Sequence, residues 1–399
     1  MNDRVGVASA ALPHVGAGHA LLPWWHNGAV RITKLEWRGI RVPLRLAPAE
    51  RGPVPDRQAL LVWIHTDDGL VGVGEASPVG PGRPDHTSDV ARVLHDLAPS
   101  ALGLPPSIAI GVLLALAPRT AAGDAARFGL ETAALDLVGK KSGRPIVTLL
   151  GGVIDWVGMH ANIGFEEPAE AARQAAEAVD RGFRSVKVTL GSHDPEMDVE
   201  VVRQVRAAIG PRAGLRADAD EVWSPERAID VLQQLGPYDL DFVEQPVFAE
   251  DLAGMAQVRR AAPMPIAADE SVAALEDARN VIDAEAADVI VVKPSRVGGL
   301  HAARAIMELA RDHGLGSLVS SSLETGVGIA ASLHVAASLG PASVSGLASG
   351  AALEHDMLTQ PLVPVRGHIT VPQMPGLGVE VDLDAVNHYT TDLAGVVMA

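Results

Sequence analysis

Arg216-Ala-Asp218-Ala-Asp220-Glu221, then Phe242-Val-Glu244-Gln-Pro246, then Ala267-Ala-Asp269-Glu-Ser271: three times within residues 216–271 a short apolar run stops at a carboxylate. The form continues on both sides with lysine at or near the end, in Ser185-Val-Lys187-Val upstream and Val289-Ile-Val-Val-Lys293-Pro294 downstream. Lys187, Asp218, Glu244, Asp269 and Lys293 are therefore 31, 26, 25 and 24 residues apart. Each interval holds one strand, one helix and their loops. Working outward, β-branched runs at 159–163, 185–190, 214–220, 240–244, 265–269, 289–293, 317–322 and 342–347 predict eight strands alternating with Ala-rich helices. Pro168, Pro195 after Asp194, and Pro225 after Ser224 open helices, while Gly182, Gly210 and Gly236 supply the exits. Short connections between such units require right-handed crossovers and a parallel sheet, and eight of them close into a (β/α)8 TIM barrel. An open doubly wound sheet shares the alternation. Charges ending so many successive strands favour closure, because a barrel gathers all its strand ends at one mouth.

Upstream the pattern changes. Residues 30–42 and 59–66 alternate like antiparallel strands joined through the turn signal Asp67-Asp68-Gly69, and 124–140 reads as a helix. The expected organisation is an N-terminal extension (1–30), an α+β capping domain (31–156), the α/β barrel (157–372) and a C-terminal segment (373–399) whose strand-like part, 378–383, returns to the cap. Pro13, His14, Gly16 and Gly18 interrupt the first apolar stretch, so no secretory leader is expected there, and no run approaches the ~20 apolar residues that span a bilayer. A net charge of −17 opposes nucleic-acid and anionic-membrane partners. The chain has no cysteine, which excludes disulfides, thiolate zinc and cysteine nucleophiles and agrees with a cytoplasmic location.

Three carboxylates crowded at one mouth repel each other by several kcal/mol unless protons or a cation neutralise them. Oxygen ligands without cysteine or a neighbouring histidine favour Mg²⁺, then Mn²⁺, on Asp218, Glu244 and Asp269. Any one of these acids could equally form a salt bridge; three in register on consecutive strands point to a metal. Lys187 and Lys293 offset the negative charge, and a deprotonated lysine is a base. Taking a proton beside a carboxylate yields a doubly charged enediolate, which a cation and ammonium groups make accessible. A small carboxylate is the substrate this chemistry calls for.

The blocks Arg127-Phe-Gly-Leu-Glu131-Thr-Ala-Ala-Leu-Asp136, Gly182-Phe-Arg-Ser-Val-Lys187-Val, Arg216-Ala-Asp218-Ala-Asp220-Glu221, Val243-Glu-Gln-Pro246, Ala268-Asp-Glu-Ser271, Lys293-Pro-Ser-Arg-Val-Gly-Gly299 and Pro375-Gly-Leu-Gly-Val379 resemble the enolase superfamily, and within it the muconate-lactonising subgroup, over about residues 31–385. The resemblance implies an enolase-like modified barrel closed by its cap, Mg²⁺ on Asp218, Glu244 and Asp269, lysines on opposite faces of the substrate, and a homo-oligomer. The stretch 319–333 is most similar to o-succinylbenzoate synthases. There Ser322 and Glu324 are expected at the substrate, and Gly326-Val-Gly-Ile329 is expected to open a helix whose N-terminus meets a substrate carboxylate.

One departure matters. The subgroup's second strand ordinarily ends Lys-x-Lys, and here it reads Lys187-Val-Thr189. A threonine hydroxyl positions a group or a water but holds no transferable proton near neutral pH. Two-base racemisation is thereby disfavoured, and a reaction that uses Lys293 alone is favoured: elimination of water in the manner of o-succinylbenzoate synthase, or cycloisomerisation in the manner of muconate cycloisomerase, with Lys187 as an electrostatic helper and Thr189 against the substrate. A metal-binding barrel that holds a carboxylate without turnover and a Schiff-base aldolase built on Lys293 are the other readings. Asp220 adds charge beside the ion or meets a basic neighbour; Glu75 faces the substrate or bonds cap to barrel; Glu324 organises the mouth, bonds to Lys293 or serves as a helix N-terminal charge; His160 is read as a packed polar group before a base. Specificity is expected from cap loops 45–58 and 77–85.

Overall fold

The computed structural model describes residues 30–45, 56–78, 86–164, 166–191, 194–340 and 344–399. Nearly all of the expected N-terminal extension and most of the two cap loops lie outside the described residues. The first half of the chain contributes β1 (Ile32–Pro43), β2 (Asp56–Thr66), β3 (Val71–Ala76), α1 (Thr87–Ala101), α2 (Pro106–Leu116) and α3 (Ala121–Ser142). β1, β2 and β3 pair antiparallel, and the β2–β3 turn closes with Gly69 N–H donating to Thr66 O at 3.1 Å. Alternate residues of β2 serve different cores. Leu60, Val62 and Ile64 pack with α1, α2 and α3, while Ala59, Leu61 and Trp63 join the core shared with the barrel. Close approach of α3 to β3 needs glycine, since a Cβ on Gly74 would meet Gly129 O at 2.0 Å.

After α4 (Ile146–Leu149) and β4 (Trp156–Gly158) come the barrel units β5 (Ala161–Ile163), α5 (Pro168–Asp180), β6 (Ser185–Thr189), α6 (Pro195–Ile209), β7 (Gly214–Asp218), α7 (Pro225–Leu235), β8 (Phe242–Glu244), α8 (Leu252–Ala261), β9 (Ile266–Ala268), α9 (Leu275–Asp283), β10 (Val289–Val292), α10 (Pro294–Val297), α11 (Leu300–Asp312), β11 (Gly316–Val319) and α12 (Gly326–Ala336). β12 (His368–Thr370), α13 (Leu383–Tyr389) and β13 (Thr390–Met398) complete the chain. Strands β5 to β11 form one parallel sheet in sequence order. Of the eighth strand expected at 342–347, the described residues 344–347 hold two bridges: Ser345 pairs with Met159, and Gly346 with Ser320. Those bridges join the two edges of the sheet. A side chain at 346 would not fit, because its Cβ would lie 2.6 Å from Ser320 Oγ and 3.0 Å from His160 Nε2. The return to the cap also falls later than expected. Residues 378–383 hold an isolated bridge between Val381 and Leu358 and the first residue of α13, with left-handed turns at Gly376 and Gly378, and it is β13 that pairs antiparallel with β1.

Inside the barrel the period of two in a strand sets the layers. Phe242, Ala267, Val291 and Leu318 form a compact apolar cluster. Arg216 caps it, with its guanidinium 4.9 Å from the Phe242 ring centre and hydrogen bonds to Val344 O and His160 Nδ1. Two residues further along the same strands stand Asp218, Glu244, Asp269 and Lys293, so the charged layer sits directly on an apolar floor.

Candidate active site

Lys187 Nζ lies between two of the strand-end carboxylates, donating to Asp218 Oδ2 at 2.8 Å and to Glu244 Oε2 at 3.0 Å. Lys293 Nζ donates to Asp269 Oδ2, whose other oxygen accepts from Arg296 Nη1 at 2.8 Å. β6 and β10 are separated by three strands, which in a ring of eight units puts Lys187 and Thr189 across the mouth from Lys293. All five residues singled out by spacing thus meet. Gln245 fixes the third acid: its Oε1 accepts from Asp269 N at 3.0 Å and Ser271 N at 3.2 Å, while its Nε2 donates to Ser271 Oγ. Asp220, Glu221, Gln245 and Leu323 all adopt positive φ at strand exits, a concentration of backbone strain that marks the mouth.

The electrostatics follow from burial and crowding. Burial and the neighbouring Asp218 push the Glu244 carboxyl well above the usual range. Burial acts the same way on Asp269, but Lys293 and Arg296 outweigh it and hold that group low. Burial and Asp269 raise Glu270 to about 7. Burial also pulls the lysines down, yet Asp218 and Glu244 keep Lys187 raised, and Asp269 and Glu270 keep Lys293 raised. Both lysines therefore rest as ammonium ions.

The other expected positions separate. Thr189 Oγ1 donates weakly to Ile163 O at 3.4 Å. Ser322 Oγ is buried without a hydrogen-bond partner, and its N–H donates to Glu324 Oε2 at 2.8 Å. Glu324 accepts from Ser295 as well, so it organises the mouth through Ser295 and Ser322. Glu75 is a cap-to-barrel clamp: its oxygens accept from Thr325 N at 3.0 Å, Thr325 Oγ1 at 2.5 Å and Gly328 N at 2.9 Å. This corrects the expectation for α12, because its N-terminus receives the cap's own carboxylate and not a substrate's. His160 is fully buried, and burial lowers its pKa far enough to keep it neutral. Spacing alone did not find Arg296, Glu270 and Arg57. Arg296 was visible as the basic residue one helical turn after Lys293, and Arg57 as a charge at a core-facing position of β2.

Asp218, Glu244 and Asp269 offer oxygen donors only, and they suit a hard divalent ion. Glu244 is wholly buried, its Oε1 has no hydrogen-bond donor, and its neighbours include the carboxylate of Asp269. A cation or a proton would relieve that contact. The three acids are nonetheless held as ion pairs with Lys187, Lys293 and Arg296 rather than as a closed ligand set. Among the described residues, the carboxylates whose oxygens gather within 4.8 Å of one another are Asp220, Glu221 and Glu270.

Residues 170–385 match the family described as "Enolase C-terminal domain-like", and residues 30–151 match the "Mandelate racemase / muconate lactonizing enzyme, N-terminal domain". The chain belongs to the enolase superfamily. Within its muconate-lactonizing group, the chain is 30% identical to an L-Ala-D/L-Glu epimerase of Clostridium acetobutylicum, over 86% of this chain and 95% of that one. It is 40% identical to an o-succinylbenzoate synthase of Thermobifida fusca, over 55% of this chain and 68% of that one. A dipeptide epimerase of Enterococcus faecalis V583, solved with Mg and the dipeptide L-Leu-L-Tyr, superposes with a TM-score of 0.81 at 28% identity, covering 88% of this chain and 99% of that one. Members of this superfamily are divalent-metal enzymes, and the relatives named here span epimerisation and synthesis of o-succinylbenzoate. No described helix is long and apolar enough to cross a membrane.

Proposed function

We propose that the chain is a Mg²⁺-dependent lyase or cycloisomerase that works on a small carboxylate through an enediolate, with an o-succinylbenzoate synthase-like elimination as the specific reaction. The observation that carries this reading is the asymmetry of the mouth: Lys293 on one side, and a hydroxyl, Thr189, at the corresponding outer position of the other. Asp218, Glu244 and Asp269 would hold the ion, Mg²⁺ or Mn²⁺, which supplies stabilisation of negative charge on the substrate's carboxylate oxygens. Lys187, kept protonated between Asp218 and Glu244, adds a fixed positive charge on its own side. Lys293 Nζ is the atom on which a proton is held and moved. Thr189 and Ser322 present hydroxyls to the bound acid, and Glu324 sets the backbone at Ser322. Epimerisation needs proton exchange on both faces of one carbon, and the Thr189 side offers no group with a suitable pKa.

The same asymmetry supports a second reading, a muconate cycloisomerase-like reaction whose proton is handled on the Lys293 face. It also supports a third, a barrel that binds metal and carboxylate without turnover. A carboxylate panel incubated with protein and Mg²⁺ in D₂O separates them. Deuterium at the α-carbon or new product, abolished in Lys293→Met, is the expected result. Exchange that persists in Lys293→Met removes the assignment, and metal-dependent binding with no exchange selects the third reading.

A further inference from the structure

Helix α3 of the cap meets the barrel at the turn Gly298-Gly299, which leads from α10 into α11. On α3 the residues Asp124, Arg127 and Glu131 stand at helical spacing on one face. Both glycines have positive φ, and neither leaves room for a side chain against α3. A Cβ on Gly298 would lie 2.6 Å from Asp124 Oδ1, and one on Gly299 would lie 2.0 Å from Glu131 Oε2. Glu131 is buried, and the start of α11 closes on its carboxylate: Leu300 N donates to Oε2 at 2.6 Å, His301 N donates to Oε1 at 3.3 Å, and His301 Nδ1 bonds the same Oε1. From this anchor back to Lys293 the backbone has no slack. Gly298 N and Gly299 N donate to Pro294 O, while Arg296 N and Val297 N donate to Lys293 O at 2.9 and 3.1 Å. From that one short turn Lys293 and Arg296 both reach Asp269.

We infer that Glu131 is a positioning residue for Lys293: by accepting from the first N–H groups of α11 it fixes the Gly298-Gly299 turn, and through that turn it sets where α10 places the Lys293 ammonium and the Arg296 guanidinium against Asp269. A buried carboxylate at a helix N-terminus is favoured by the dipole and the free N–H groups there. Docking alone does not account for it, because Glu75 already clamps the cap to the barrel at α12. What sets Glu131 apart is the segment its helix follows. Helix α11 starts directly after the turn that carries the lysine, so a shift of the anchor reaches Lys293 with nothing between to absorb it. A misplacement of about 1 Å at a reacting group can lower a rate on the order of 100-fold. The inference rests on the reading of Lys293 as the residue that holds and moves the proton, and it adds a residue of the cap to the groups that govern that step.

The test reads Lys293 itself and needs no turnover. With Mg²⁺ present, wild type, Glu131→Ala, Glu131→Gln and Glu75→Gln are compared in two ways, both by mass spectrometry: backbone hydrogen exchange over residues 294–301, and the rate at which trace acetic anhydride acetylates Lys293, with Lys187 across the mouth as internal reference. In Glu131→Ala the expected result is ~10-fold or faster exchange over 294–301, with Lys293 acetylated about threefold or more faster relative to Lys187. Glu131→Gln keeps an acceptor for Leu300 N and should fall between Glu131→Ala and wild type, whereas Glu75→Gln should leave the Lys293 rate within about twofold of wild type. A looser turn with an unchanged Lys293 rate, an equal change at Lys187, or the same effect from Glu75→Gln would each overturn the inference, since each describes a docking contact only. Should Glu131→Ala fail to fold, a Lys293 rate in Glu131→Gln equal to that of wild type overturns it. With a substrate in hand, the Glu131 variant should lower kcat ~10-fold while KM stays within about twofold, and a change confined to KM counts against the role. Acetylation that shifts as expected in a protein that exchanges no substrate proton would remove the proposed reaction and leave the positioning of Lys293 intact.

Discussion

Glu244→Gln should make the metal-free protein more stable while removing its response to the metal. In the folded chain the Glu244 carboxylate shares the Lys187 ammonium with Asp218 and sits against Asp269. Repulsion from two acids at roughly 5 Å comes to about 7 kcal/mol at an effective dielectric of ~20, and attraction to Lys187 at about 3 Å with Lys293 farther off comes to about 8 kcal/mol. These nearly cancel. Desolvation of a wholly buried carboxylate, several kcal/mol, then decides the sign, in keeping with the raised pKa. A glutamine keeps the volume and one acceptor for Lys187 while shedding the charge, so a gain of about 1–3 kcal/mol is expected after the weaker hydrogen bond is deducted. In EDTA this appears as a rise of several degrees in melting temperature. In Mg²⁺ the ranking should invert. Wild type gains about 4.1 kcal/mol at about 1,000 times the dissociation constant, and the variant gains far less. A Gln variant that melts below wild type in EDTA, or that Mg²⁺ stabilises equally, would refute the placement of Glu244 at a cation site.

Thr189→Lys should raise α-deuterium incorporation into carboxylates by at least tenfold if the rest of the mouth is competent, read by mass spectrometry; no increase would mean that Thr189 is not what limits exchange on that face. Glu75→Gln leaves one N–H at the start of α12 facing an amide NH₂ and should lower stability by about 2–3 kcal/mol; unchanged thermal denaturation would argue against the clamp. His301, bonded through Nδ1 to Glu131, has its pKa lowered by burial but raised on balance by that carboxylate. The contribution is therefore complete below about pH 6.5 and is lost as pH rises through the raised value, and His301→Gln should flatten that slope in pH-dependent melting. With 49% of the His301 side chain exposed, the slope is shallow.

The barrel was legible because its units repeat at intervals of 24 to 31 residues and because the charged residues stand at or near strand ends, Lys187 being two residues short of the end of β6. Strand periodicity then delivers geometry: the residue two positions before Glu244, Asp269 and Lys293 is inward and apolar, at Phe242, Ala267 and Val291, while Arg216 holds the same level before Asp218. The eighth unit was harder to read: among the described residues of the run expected at 342–347, pairing is confined to bridges at Ser345 and Gly346, and only packing against His160 and Ser320 shows why glycine stands there. Residues 378–383 read as a strand from their alternation, but two left-handed glycines turn the chain and pairing waits until β13. The roles of Glu75 and Arg57 were out of reach for a different reason. Their partners, Thr325, Gly328 and Leu323, lie about 250 residues away, and no local pattern encodes a contact at that separation.

β13 lies beside β1 at the edge of the sheet formed by the first strands of the chain. During synthesis, therefore, the amino-terminal sheet waits tens of seconds with one flank unpaired while the whole barrel emerges. Only then does the last strand arrive to cover it. That edge is covered by a strand made only after the barrel, which makes premature edge-to-edge association between nascent chains the hazard this topology has to survive, and nicking at 390–398 a way to loosen the cap without touching the barrel.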